Sequence, residues 1–182
     1  MPRNAVALAI ALFAAPAFAA DYTQAPGSSL AFAGKYQGEV FTGKFPGFVT
    51  KFSFDPKQLA ASKLDVTIPL ATAGTGNADY DGELRGAAFF DSAKFPQAKY
   101  SASKFRALGG NRYAADGTLS LHGVSKPVTL EFSWTPGAKP VLAGKATVKR
   151  LDFGVGGGDW ADTALIPDAI AISTKVVLVP AK

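Results

Sequence analysis

The chain has 182 residues, of which 48% are hydrophobic, with no cysteine and a formal net charge of +5 at neutral pH. The lack of cysteine excludes disulfide bridges, thiolate metal sites and a cysteine nucleophile. The lysines are scattered singly and form no basic run, which argues against a nucleic-acid partner.

The first element along the chain is a short apolar segment. Arg3 precedes an apolar run over residues 5–15, and Ala17-Phe18-Ala19 has the small-x-small pattern of a cleavage site. We interpret residues 1–19 as a signal peptide and expect residues 20–182 to form one periplasmic domain with a charge of +4, since Arg3 is removed. A membrane anchor is the weaker alternative, because the run is short for a bilayer span.

Alternating apolar and polar residues recur through the rest of the chain, in segments 48–55, 63–70, 116–123, 127–134 and 170–179. This period of two predicts half-buried antiparallel strands at the spacing of a sandwich or a barrel. The fourteen Phe, five Tyr and two Trp supply ring area for lining a lumen. The pattern alone leaves a closed barrel and a two-sheet sandwich open, and likewise a hollow lumen and a filled core.

Residues 77–100 interrupt the alternation. Asn77 or Asp79 is a candidate N-cap for a short helix, and Asp81 and Arg85 are spaced for an ion pair. The same pair is a candidate for holding a polar head group. We predict a short helix or a long loop here, in the usual position of a lid.

The stretch "DFGVGGGDW" (152–160) contains a kinase-like triplet and many glycines, but a kinase catalytic loop and a Gly-Lys-Ser/Thr sequence are both missing. Glycines permit a bent backbone. We therefore predict a rim that turns Trp160 over the mouth of a barrel. A bulged hairpin with a core tryptophan is the alternative.

Residues suited to catalysis are scarce. His122 is the only histidine and falls on the polar face of its strand beside a turn, so we expect it at the surface. No serine lies in a nucleophile elbow near it, and Asp159 with Asp162 is a weak calcium signal. We expect no enzymatic activity, no catalytic cofactor and no metal site, and a lipid-modifying enzyme is the weakest of the alternative functions.

Four stretches, 41–56, 77–105, 115–132 and 149–172, together resemble the YceI-like family of exported, polyisoprenoid-binding proteins. They occur in the family's order and span almost the whole mature chain. The resemblance implies an all-β fold, an extended, lipocalin-like antiparallel β-barrel of about eight strands with a short helix or loop insertion near 77–100.

The resemblance also implies a long isoprenoid lipid, a quinone or a polyprenyl, as bound ligand. It allows other amphiphiles, such as fatty-acid derivatives or hydrophobic toxins in stress protection, transient contact with a membrane b-type cytochrome, and a homodimer. The residues expected to line the barrel or its mouth are Tyr36, Phe45, Phe48, Phe52, Phe54, Leu70, Asp81, Arg85, Phe89, Phe90, Leu119, Leu121, Leu130, Phe132, Trp134, Phe153, Trp160, Ile170 and Ile172.

The chain departs from the family at two positions. The family often has His-Ser in its first strand, where this chain has Gly27-Ser28, and Tyr36 replaces a second frequent histidine. These departures imply different handling of a ligand head group, while the expected barrel is unaffected.

Overall fold

The computed structural model describes residues 19–182. Residues 1–18, which hold nearly all of the interpreted signal peptide, lie outside the described part. One antiparallel sheet of ten strands dominates the fold. The strands are β1 (Ala20–Gln24), β2 (Ser29–Tyr36), β3 (Glu39–Lys44), β4 (Val49–Phe54), β5 (Lys63–Pro69), β6 (Gln97–Gly109), β7 (Arg112–Leu121), β8 (Val124–Thr135), β9 (Val141–Lys149) and β10 (Ala169–Pro180).

The sheet closes into a barrel because β1 pairs with β10 as well as with β4. Strands β2 and β1 lie one after the other along the same edge of β10, with Leu30 opposite Thr174 and Tyr22 opposite Pro180. Strands β3 and β4 follow the same arrangement against β2 and β1. Counting each pair as one interrupted strand gives a closed eight-stranded antiparallel barrel, so the predicted barrel is confirmed and the sandwich alternative is wrong.

The interruption between β1 and β2 is stabilised locally. Gly27 has a φ of +91°, which favours glycine, and Ser28 Oγ donates a hydrogen bond to the Ala25 carbonyl at 2.8 Å. The same oxygen accepts from the Val177 amide at 3.0 Å. Through Ser28, the segment between β1 and β2 is therefore hydrogen-bonded to β10.

Aromatic side chains fill the barrel at the end opposite the 77–100 segment. Phe52 and Phe54 are each 1% exposed, and their rings lie 5.0 Å apart between centroids. The Phe54 ring also contacts the rings of Tyr113 and Trp134 in edge-to-face geometry, each with a centroid distance of 5.1 Å. Tyr22, Phe105 and Phe132 complete this aromatic plug. This half of the barrel is a packed core.

A short helix, α1 (Ala78–Arg85), covers the other end, so the helix is correct and the alternative of a long loop is wrong. The Asn77 side chain caps it by accepting from the amides of Asp79 and Tyr80 at 3.0 and 3.3 Å. Three short 3-10 turns, Leu59–Ala61, Leu70–Thr72 and Gly158–Trp160, and a four-residue one, Arg150–Phe153, connect the strands.

The predicted ion pair between Asp81 and Arg85 is wrong. The Asp81 carboxylate accepts from the Thr75 amide and hydroxyl at 2.6 and 2.7 Å, and these bonds hold the pKa of Asp81 below its usual value. Arg85 Nε instead donates to the main-chain carbonyl of Asp81 at 2.7 Å. Helical spacing brought the two residues within reach, but the loop before the helix offered the carboxylate two better-placed donors.

None of the helices within residues 19–182 has the length and apolar character needed to cross a membrane.

Candidate ligand-binding cavity

The half of the barrel that the aromatic plug leaves unfilled contains an inner cavity of about 190 Å³ with an entirely apolar surface. Ten of the residues expected from the sequence line it: Phe45, Phe48, Leu70, Phe89, Phe90, Leu119, Leu121, Leu130, Ile170 and Ile172. The sequence analysis missed other wall residues, among them Leu30, Phe32 and Phe41 from β2 and β3. The alternating apolar positions of β2 were a usable signal for Leu30 and Phe32.

The polar ends of two wall residues are bonded to the sheet. The Tyr100 hydroxyl donates to the carbonyls of Ala115 and Val128 at 2.8 and 3.1 Å, and burial raises the pKa of Tyr100 well above its ordinary value. The Thr174 hydroxyl donates to the Ser29 carbonyl at 3.0 Å. These two hydroxyls are thus satisfied by main-chain groups. A third wall residue, Thr50, has a buried Oγ1 with no hydrogen-bond partner within residues 19–182. The lumen therefore offers a ligand apolar contacts almost throughout.

An outer compartment of about 230 Å³ adjoins the inner cavity at the barrel mouth. Aromatic rings form its wall. The centroid of the Tyr36 ring lies 6.3 Å from those of both Tyr80 and Trp160, and the Trp160 centroid lies 5.5 Å from that of Phe89. The two spaces share four lining residues, Phe41, Leu84, Phe89 and Ile166. A ligand that passed these four side chains would occupy both spaces.

Trp160 is half-buried at the mouth, in a loop of 3-10 turns between β9 and β10. The alternative of a bulged hairpin is therefore wrong. Gly154, Gly156 and Gly158 have φ values of 69°, 66° and 57°, as expected for a bent glycine rim.

Arg150 organises this loop, and the sequence analysis missed it. Its side chain is buried, with 4% exposed, and lines the inner cavity. Its five N–H groups donate to five main-chain carbonyls at 2.6 to 3.2 Å, those of Val155, Gly156, Trp160, Ile166 and Pro167. Burial lowers the pKa of Arg150, and the charge of Asp168 opposes that shift.

The close approach to Arg150 explains one glycine of the rim. A Cβ atom on Gly156 would lie 2.6 Å from Arg150 Nη1 and 3.0 Å from the Phe89 ring. Any side chain at this position would separate the loop from the guanidinium. The glycine-rich stretch is thus a structural cradle for an arginine, and a basic residue just before a glycine run was the available sequence signal.

Seven of the expected residues line neither space. Phe52, Phe54, Phe132 and Trp134 face the barrel interior but belong to the aromatic plug. Asp81 and Arg85 are engaged with Thr75 and the helix backbone, and Phe153 is buried beneath the loop. Alternation identifies the face of a strand that points inward, but it does not give the height along the barrel at which a side chain lies.

His122 differs from the expected surface histidine. It forms the β7–β8 turn with Gly123, both at positive φ, and is half-buried. Its Nδ1 lies 3.1 Å from the Phe153 carbonyl, and its ring meets Phe95 at 4.9 Å. Within residues 19–182, no three His, Asp or Glu side chains are grouped as a metal ion would require.

The two departures from the family have separate locations. Tyr36 ends β2 and lines the outer compartment, so it stands where a ligand head group would pass. Gly27-Ser28 lies in the break between β1 and β2, and neither residue lines either space.

The closed eight-stranded antiparallel barrel with an apolar cavity places this protein in the class of lipocalin-like barrels. Residues 22–178 match the model of the YceI-like domain, and the chain belongs to that family. It is 37% identical over 120 residues to the UPF0312 protein of Yersinia pestis (strain Pestoides F), a match that covers 62% of either chain, so the alignment spans less than two thirds of that relative.

Solved structures show the same fold. BcnA of Burkholderia cenocepacia superposes with a TM-score of 0.79 at 30% identity, covering 82% of this chain and 95% of that one. A polyisoprenoid binding domain from Saccharophagus degradans superposes with a TM-score of 0.67 at 16% identity, covering 90% and 99%.

Proposed function

We propose that this protein binds and carries a long-chain isoprenoid lipid, a quinone or a polyprenyl, in the periplasm. The observation that carries the proposal is the entirely apolar surface of the inner cavity. A hydrocarbon chain loses nothing by desolvation there, whereas a polar ligand would leave its hydrogen-bonding groups unpaired. The Saccharophagus structure is of a polyisoprenoid binding domain, which is in keeping with this ligand class. The apolar N-terminal segment supports the periplasmic location.

The size of the two spaces favours a chain that extends through both. A dry apolar cavity of about 150 Å³ accommodates a molecule the size of benzene. The inner cavity, at about 190 Å³, therefore holds one part of a long chain, and the remainder would pass Phe89 into the outer compartment. Each buried methylene contributes about 0.8 kcal/mol, and association costs about 4–15 kcal/mol, so long chains are retained better than short ones.

The modest volume of the inner cavity favours a second candidate, a scavenger of smaller amphiphiles such as fatty-acid derivatives or hydrophobic toxins. Both candidates involve binding without catalysis. The single histidine, His122, lies outside both spaces and is engaged by the Phe153 carbonyl. Two further expectations from the family resemblance, contact with a membrane b-type cytochrome and formation of a homodimer, remain predictions for this protein.

The test is native mass spectrometry of the protein isolated from the periplasm of a bacterium expressing the full chain, followed by solvent extraction. We expect a stoichiometric isoprenoid lipid. We further expect Trp160→Ala to lose most of it while remaining folded, because Trp160 packs on Phe89 and Tyr36 at the mouth. Leu108→Ala, at the far end of β6, is the control and should retain the lipid.

Co-purification of a fatty-acid derivative instead would favour the scavenger. A polypeptide that carries no lipid, and takes up none when prenyl lipids are offered, would refute both candidates.

A further inference from the structure

We propose that the outer compartment excludes anionic head groups, so that the natural ligand carries an uncharged head. This inference rests on the proposed function, because it assumes that the hydrocarbon chain occupies the inner cavity and the head remains at the mouth. It divides the candidate ligands into two groups: prenyl alcohols and quinones on one side, prenyl phosphates and fatty acids on the other.

The first observation is the charge of the compartment wall. Asp79 and Glu83, one helical turn apart on α1, are its charged lining residues. Within residues 19–182, neither carboxylate has a hydrogen-bond or ion-pair partner. A phosphate or carboxylate head at the mouth would therefore meet two like charges that have no ion-pair partner. Like charges a few ångströms apart repel appreciably even near the protein surface.

The second observation is that acidic residues outnumber basic ones around the mouth. The segments over the mouth, 77–96 and 150–168, hold eight Asp or Glu against three Lys or Arg. Arg150 uses all five of its N–H groups on main-chain carbonyls. Arg85 Nε donates to the Asp81 carbonyl, and the Lys94 amino group lies 5.1 Å above the Phe95 ring.

Recognition of phosphate relies on N–H donors from arginine or lysine. No lysine or arginine lines the outer compartment in the part of the chain that the structure describes. The compartment instead presents the rings of Tyr36, Tyr80 and Trp160, which suit a flat uncharged head group through stacked or edge-to-face contacts. The mouth thus lacks what an anionic head needs and contains what a neutral one uses.

The experiment compares a 20-carbon prenyl alcohol with the prenyl monophosphate of the same chain by titration calorimetry, on full-length protein purified and delipidated, at low salt and neutral pH. We expect the alcohol to bind at least about tenfold more tightly than the phosphate. Added salt should narrow the difference, since it screens exposed charges. In Asp79→Asn/Glu83→Gln, the ratio of the two affinities should fall by about tenfold.

Asp65→Asn/Glu131→Gln is the matched control, since it removes the same charge from the outer wall of β5 and β8 and should leave the ratio unchanged. Equal or tighter binding of the phosphate to the wild-type protein would overturn the inference and leave the lipid carrier intact. The inference would also be overturned if the ratio of the two affinities were unchanged in Asp79→Asn/Glu83→Gln, or if it changed equally in the control variant. Failure of both probes to bind the wild-type protein would instead refute the proposed function itself.

Discussion

The guanidinium of Arg150 is buried at the mouth of the barrel, and main-chain carbonyls accept all five of its hydrogen bonds. A buried charge is costly unless it is hydrogen-bonded, and here the bonds come from carbonyls on both sides of Trp160. One side chain therefore holds the loop between β9 and β10 in the shape that places Trp160 beside Phe89.

Arg150→Lys should destabilise this loop. Lysine has three donors, so at least two carbonyls would lose their partner, at about 1–3 kcal/mol for each buried group. We expect faster hydrogen exchange at the amides of residues 154–166 and a loss of about 2–6 kcal/mol in the free energy of their protection. Arg112→Lys, in an exposed pair with Glu131, is the control and should change stability by less than about 0.5 kcal/mol. Unchanged exchange of the loop would contradict this role.

At the scale of elements, α1 is weakly anchored to the rest of the fold. It has no fully buried residue and is attached through the partly buried Leu84 and the bonds from Thr75 to Asp81. Elements with few buried contacts open at low free-energy cost. Since Leu84 of this helix lines both spaces, opening of α1 would connect the inner cavity with solvent.

The attachment of α1 should weaken in acid. The folded-state pKa of Asp81 is lowered, chiefly by its bonds from Thr75, so its contribution to stability is present above the unfolded value of about 3.9 and is lost as pH falls through the lower folded value. We expect hydrogen exchange over residues 75–85, corrected for its intrinsic pH dependence, to show less protection below about pH 4.

Asp81→Asn should show the weaker protection already at neutral pH and lose the additional acid dependence. Asp79→Asn, on the same helix but without bonds from Thr75, is the matched control and should retain the acid transition. A transition of the same size in Asp81→Asn would show that another group is responsible.

At the scale of the whole molecule, the barrel consists of a filled half and a hollow half. The rings of the aromatic plug pack against one another, whereas residues around the inner cavity border empty space on one side. Dispersion contacts are lost wherever a side chain borders empty space. The plug therefore supplies stability, and the cavity supplies the room for a ligand.

Phe54→Ala, in the plug, should lower the free energy of unfolding by about 3–5 kcal/mol. Phe48→Ala, at the cavity wall, should cost about 1–2 kcal/mol less because the ring has fewer contacts to lose. Both phenylalanines are nearly fully buried, with 1% and 4% exposed, so burial alone would predict equal losses. Urea unfolding of the ligand-free variants distinguishes the two, and equal losses would contradict the division into halves.

Much of this architecture followed from local pattern. The alternation in 48–55, 63–70 and 170–179 identified inward-facing residues such as Phe48, Leu64 and Ile172, and Asn77 was one of two candidate helix caps. These predictions were accurate because the face of a strand and the start of a helix depend on neighbours only a few residues away. The ion pair between Asp81 and Arg85 was wrong because Thr75, outside the helix, determined the outcome.

The sequence by itself determined that the chain folds as antiparallel strands with one aromatic-rich face, broken once by a capped helix, since periodicity and capping are local properties. The tertiary structure alone decided that Phe54 lies in a plug while Phe48 borders a cavity, that Arg150 meets five carbonyls, and that Asp79 and Glu83 stand at the mouth. These features depend on the height of each strand in the closed barrel and on loops that meet across it. Such relations join residues distant in the chain, and no local pattern contains them.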